Sequence, residues 1–130
     1  MGTQTLPKLG EAYEGGQFAG ITTDKDGAPY ALILLDNEFA GITLNWRDAM
    51  AWAKELGDGA DLPTRVESAM LFANLPSQFS TEWYWTSEQH ASYSDCAWSQ
   101  NFTYGQSYDS LGAELRARAV RRLPIQSLSI

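Results

Sequence analysis

The chain has 130 residues, 44% of them hydrophobic and 12% aromatic, and a formal charge of −7. This composition describes one globular domain, able to bury roughly two-thirds of its unfolded surface, and excludes a disordered acidic tail. The acid excess also disfavours non-specific binding to nucleic acid.

A single cysteine, Cys96, cannot close an internal disulfide or supply a thiolate-rich zinc cage. The longest apolar stretch, residues 30–35, is far shorter than the ~20 residues of a membrane-spanning helix, and residues 1–16 lack the apolar core of a signal peptide. The expectation is synthesis in the cytoplasm without membrane insertion. Charge is unevenly placed, because residues 116–130 hold Arg116, Arg118, Arg121 and Arg122 and no acid, which makes a basic edge on an acidic body.

In chain order, residues 1–16 read as an N-terminal extension, residues 17–123 as the domain, and residues 124–130 as a tail. The β-prone runs QFAGITT and PYALILL flank DKDGA, whose Asp26-Gly27 step supplies the positive φ of a tight hairpin. Asn45 then caps a helix with Trp46, Ala49, Met50, Ala53 and Leu56 at helical spacing, ended by Gly57 and Gly59. A second helix starts at Thr64-Arg-Val-Glu67, a capping box, with Val66, Ala69, Met70 and Ala73 as its expected buried stripe and Pro76 as its stop. Strands are expected at residues 83–87, 97–102 and 115–123, joined by loops rich in Ser, Tyr, Gly and Asp. The order β, β, α, α, β, β, β predicts an α+β class with a mostly antiparallel sheet covered on one face by the helices.

The segments NWRDAMAWAKELG, DLPTRVESAMLFANL, WYWTS, AWSQNFTYG and RARAVRR resemble a bacterial and phage domain family, and the resemblance covers residues 15–122. That family is related to the C-terminal domain of collagen-like bacterial adhesins (Lcl). Its pattern falls here on Trp46 with Ala49, residues 62–67, Trp85 to Ser87, residues 97–105, and Val120 with Arg121, with Thr86 where the family often has Ser. The resemblance implies a C-type lectin-like fold, distantly akin to formylglycine-generating enzymes and phage tropism determinants. It also implies attachment to a cell-surface glycan or protein by a phage tail-associated or bacterial surface protein. Family resemblance carries architecture further than function.

The residues themselves assign most motif positions to scaffold. Asn45, Thr64, Arg65 and Glu67 read as helix caps, with Arg65 pairing nearby carboxylates, while Trp46, Trp83, Trp85 and Trp98 read as core or sheet anchors. Arg116 and Arg118 share one face of the last strand, expected to be solvated and salt-bridged, with contact to a neighbouring acidic subunit as a second use.

Enzyme chemistry finds little support. The formylglycine-generating branch needs a cysteine pair, and the Glu-Pro-Asn, Gln-Pro-Asp and Trp-Asn-Asp signatures of calcium-dependent lectins are missing, so neither metal nor cofactor is expected. His90, the one histidine, reads as a solvated loop residue, and Cys96 as a small packing residue. Two stretches do have the mixture that recognition loops use, 88–95 and 104–109, with Tyr93, Tyr104 and Tyr108 as contact rings and Gln106 and Asp109 as polar partners. The expected function is therefore a non-enzymatic recognition module. The alternative is a structural or assembly protein of a virion or other complex, or a homo-oligomer, using the termini and the Arg-rich strand for subunit contacts.

Overall fold

A computed structural model describes residues 5–39, 41 and 43–125, so residues 1–4 and 126–130 of the expected terminal segments lie outside the described residues. The expected hairpin is formed by β2 (Gly16–Thr23) and β3 (Pro29–Glu38), antiparallel, with Thr23 opposite Pro29. In its turn the Asp24 carboxylate accepts the N–H groups of Asp26 (2.9 Å) and Ala28 (3.0 Å), and Gly27 takes φ +83°. The sheet begins earlier than expected. β1 (Ala12–Tyr13) pairs with β2, and a side chain at Gly16 would collide with the Leu34 carbonyl oxygen across the β2–β3 ladder. β7 (Arg118–Pro124) completes the order β1-β2-β3-β7, and Ile125 beyond it is buried in the core. β4 (Tyr84–Gln89), β5 (Cys96–Asn101) and β6 (Gly105–Ser110) form a separate antiparallel sheet. The α+β class and antiparallel pairing are those expected. β6, however, occupies a stretch read from sequence as loop, because its Ser, Gln and Asp conceal an alternation completed by pairing with β5.

The helices do not share one face of the first sheet, as was expected. Side chains alternate along β3, so Ala31, Ile33 and Leu35 pack with Trp46, Ala49 and Ala53 of α1 (Trp46–Glu55), while Leu32 and Leu34 pack with Leu71, Phe72 and Leu75 from α2 (Arg65–Asn74) and its C-cap. A strand covered on both sides explains why PYALILL is apolar without interruption. Both expected caps are present: Asn45 accepts the Asp48 N–H, and Thr64 and Glu67 exchange the reciprocal bonds of a capping box.

The buried stripe of α2 differs by one position from the expected one. Val66 is 65% exposed and Ala69 and Ala73 face solvent, whereas Glu67, Ser68, Leu71 and Phe72 are inside. Large side chains displace alanines from the core, and the rotation is pinned by Glu67, which is fully buried. Its carboxylate accepts Arg122 Nε (2.7 Å) and Nη2 (2.8 Å), the Thr64 N–H (2.8 Å) and the Tyr30 hydroxyl, while Arg122 Nη1 reaches Asp61 (3.0 Å). Arg118 is also buried, donating to the carbonyls of Gln78 (2.8 Å) and Leu35 (3.0 Å), and Arg121 donates to the Glu14 carbonyl (2.8 Å). At Arg118 the expected solvated arginine face is thus instead an internal tie, and Arg121 and Arg122, further along β7, likewise reach a carbonyl and carboxylates of the same chain.

Burial pushes the Glu67 carboxyl upward, but the bonds from Arg122, Tyr30 and Thr64 outweigh it and hold it below the ordinary 4.5. Burial and Glu67 together push the Tyr30 hydroxyl upward, and the Glu67 bond drives Arg122 upward against its burial, so both keep their protons. A depressed carboxyl contributes stability above its unfolded value, and that contribution disappears as pH falls through the folded value. Glu67→Gln should therefore cost about 3 kcal/mol at neutral pH by removing the buried partner of Arg122 and leaving it only Asp61. It should also flatten the decline of the thermal midpoint below pH 4.5 that the lowered Glu67 carboxyl predicts for the parent protein, a comparison that calorimetry across pH would make. Parallel midpoint curves for the two proteins would contradict this role.

Candidate functional site

The second sheet carries the candidate surface. β5 turns Ala97, Ser99 and Asn101 inward, all buried, which leaves the half-buried Trp98 and the also buried Gln100 on the other face. The register sets Trp98 opposite Tyr108 and Gln100 opposite Gln106, so these four share that outer face. β4 supports them from the adjacent position in the sheet: the Thr86 hydroxyl donates to the Trp98 carbonyl (2.9 Å), and Trp85, fully buried, donates its indole N–H to the Leu44 carbonyl (2.8 Å).

His90 sits at the centre of a ring cluster on this face. Its centroid lies 4.8 Å from Tyr93, 5.0 Å from Trp98 and 4.5 Å from Tyr108, with Tyr93 and Tyr108 themselves 5.6 Å apart. His90 Nδ1 accepts the N–H groups of Ser92 and Tyr93, both at 3.1 Å, which leaves Nε2 to carry the ring proton. The expected solvated loop histidine is instead a half-buried hub that folds the 90–95 loop back onto the sheet. Tyr93 is 53% and Tyr108 43% exposed, so the cluster presents rings to solvent while fixing their positions.

Arg65, the first residue of α2, reaches the same face. Its guanidinium carbon lies 3.5 Å from the Trp98 ring centroid, and its Nε donates to Gln106 Oε1 (2.9 Å). Gln106 Nε2 returns bonds to the Arg65 carbonyl (2.7 Å) and to Gln100 Oε1 (2.9 Å), while Glu88 accepts the Arg65 N–H (2.8 Å). Arg65 thus stacks on an aromatic ring and pairs with an amide rather than with a carboxylate as expected. Trp98, expected to anchor the sheet, is only half-buried and belongs to the surface cluster. An open groove of about 460 Å³ runs beside it, lined by Arg65, Val66, Ala69, Glu88, Gln100 and Gln106.

Of the five expected contact residues, the structure brings Tyr93, Tyr108 and Gln106 to this face. Asp109 lies on the opposite face of β6, where it accepts the Ser99 hydroxyl at 3.3 Å. Tyr104 belongs to the other end of the hairpin. There the Asn101 carboxamide accepts the Thr103 (2.8 Å) and Tyr104 (3.0 Å) N–H groups, and Tyr104, 78% exposed, stacks on Trp83 at 6.3 Å. Arg65, His90 and Trp98 were not expected among the contact residues. The signal was present in β6, where Gln106 and Tyr108 alternate with Ser107 and Asp109, but it becomes legible only with the β5 register.

Two other grooves offer less chemistry. One of about 490 Å³ includes Tyr30, Glu67 and Arg122, whose polar atoms already bond to one another, and one of about 750 Å³ runs past Asp58, Asp61 and Lys54. Cys96 offers no ready thiolate, since partial burial and then the carboxylates of Asp95 and Asp109 push its thiol upward. Among the described residues, no three His, Cys, Asp or Glu side chains converge as a metal site, and no helix is long and apolar enough to cross a membrane. No family model matches the chain, and a search of curated proteins gives no match.

Replacing His90 with Ala removes the acceptor for two backbone N–H groups and the contacts to three rings. The expected cost is about 1–2 kcal/mol, with faster amide exchange at Ser92 and Tyr93 and little change in exchange within β2 and β3. Unchanged exchange at those two amides would show that the histidine does not hold the loop.

Proposed function

We propose that this domain is a non-enzymatic recognition module that binds a cell-surface glycan or protein through the outer face of β5 and β6. The supporting observation is the cluster of Tyr93, His90, Trp98 and Tyr108 with Arg65, which combines exposed rings with fixed positions. Rigid aromatic side chains contribute large contact area with little rotamer entropy to lose, and Trp, Tyr and Arg dominate binding hot spots. The resemblance of the residue pattern to that of collagen-like adhesins, and the C-type lectin-like architecture that the resemblance implies, agree with this reading and suggest attachment by a phage tail-associated or bacterial surface protein.

The assembly reading rests on the termini, whose ends lie outside the described residues, and on a basic strand available to a neighbour. Arg118 and Arg122 bond to acceptors within the chain, and Arg121 donates to Glu14 and lies 3.9 Å from Asp58, which weakens that reading. Tyr93→Ala together with Tyr108→Ala should abolish binding of the purified domain to bacterial cells or to a glycan panel while moving the thermal midpoint by only a few degrees. Tyr104→Ala, at the far end of the hairpin, should leave binding within about threefold of the parent, a change under 1 kcal/mol. Binding that survives the double substitution but fails with Tyr104→Ala would relocate the site to the hairpin turn.

A further inference from the structure

Arg65 is held by one edge and open at the other. Nε is committed to Gln106 and the guanidinium plane lies over Trp98, yet among the described residues neither Nη1 nor Nη2 donates to a protein acceptor. A guanidinium with that end free is a preorganised fork for a carboxylate, which accepts two parallel N–H bonds. Gln106, by contrast, is occupied by Arg65 and Gln100.

What surrounds this fork selects among carboxylate carriers. Val66, 65% exposed, and Ala69, one turn further along α2, give the adjoining groove an aliphatic wall, which suits an aliphatic side chain better than a hydroxylated sugar ring. Glu88 lines the same groove, so a run of acids meets more repulsion there than a single carboxylate held by the fork.

Resting on the recognition reading above, we infer that the ligand is a protein segment presenting one Asp or Glu to Arg65, with an aliphatic residue within two positions seated against Val66 and Ala69. Tyr93 and Tyr108 then cover the backbone of that segment. The carboxylate contributes specificity, since a segment lacking it leaves the fork unpaired beneath the bound chain.

The test is selection of a random-peptide display library on the purified whole domain, in parallel with a panel of neutral and uronic-acid glycans. Enriched peptides should share one acid with a nearby Val, Leu or Ile. Changing that acid to its amide in a synthetic copy should weaken binding at least about tenfold. Arg65→Gln should lose the same peptides, and Arg65→Lys, which keeps the charge without the planar fork, should lose most of their affinity, with both variants retaining a cooperative thermal transition. Enrichment of peptides without an acid, or equal enrichment on Arg65→Gln, overturns the inference and leaves the recognition reading intact. Glycan binding that depends on Tyr93 and Tyr108, with no peptide enriched, does the same. Failure of both arms removes the recognition reading as well.

Discussion

The ion pair between Glu67 and Arg122 is the constraint on which the rest of this molecule turns. A carboxylate with no exposed surface is tolerable only where every lone pair has a donor, and here Arg122 of β7 contributes two, and the β3 tyrosine and the α2 N-cap one each. Those bonds fix the rotation of α2 about its axis. Once Glu67 faces inward, Leu71 and Phe72 follow it into the core and Val66 is turned out. The same rotation, transmitted by the capping box, leaves Arg65 beside the second sheet. Scaffold charge and candidate ligand contact are therefore consecutive consequences of one buried group.

Much of the frame was legible in local chemistry. The hairpin turn, both helix caps and the helix ends are decided by neighbours in sequence, through an Asp-Gly step, an Asn, a Thr-x-x-Glu box and a proline, and no distant partner is needed to form them. The errors share one physical origin. The stripe of α2 was placed by apolar spacing, which counts Val66 and Ala69 as core and Glu67 as surface, because a buried carboxylate is expensive until its partner is known. That partner is Arg122, some fifty residues away, on a strand that looks solvated when read alone. Helix placement failed similarly, since nothing local says that an uninterrupted apolar strand will be covered by different helices on its two sides.

The candidate surface was half legible. Residue types in 88–95 and 104–109 indicated recognition, and three of the five named residues meet on one face. Composition does not order them in space, however. Tyr104 and Tyr108 are four positions apart in sequence but belong to different ring groups, whereas Tyr93 and Tyr108 converge because His90 folds the loop inward. Asp109 was separated from Gln106 and Tyr108 by the simplest rule of a β-strand, alternation, in a segment not recognised as one.

The distribution of positive charge completes the argument. In a chain with a net charge of −7, Arg118 and Arg122 are occupied by internal acceptors, as is the Nη1 of Arg121. Arg65 differs because its bonds and its stacking orient the side chain without using its outer nitrogens. A cation in that setting does little to attract a distant anion, since the field of the whole molecule is negative. It acts at short range, after contact, where the aromatic cluster has already excluded water and a correctly placed acceptor strengthens the bond. On the proposed recognition reading, discrimination on this surface falls on how slowly the matched ligand leaves rather than on how quickly any ligand arrives.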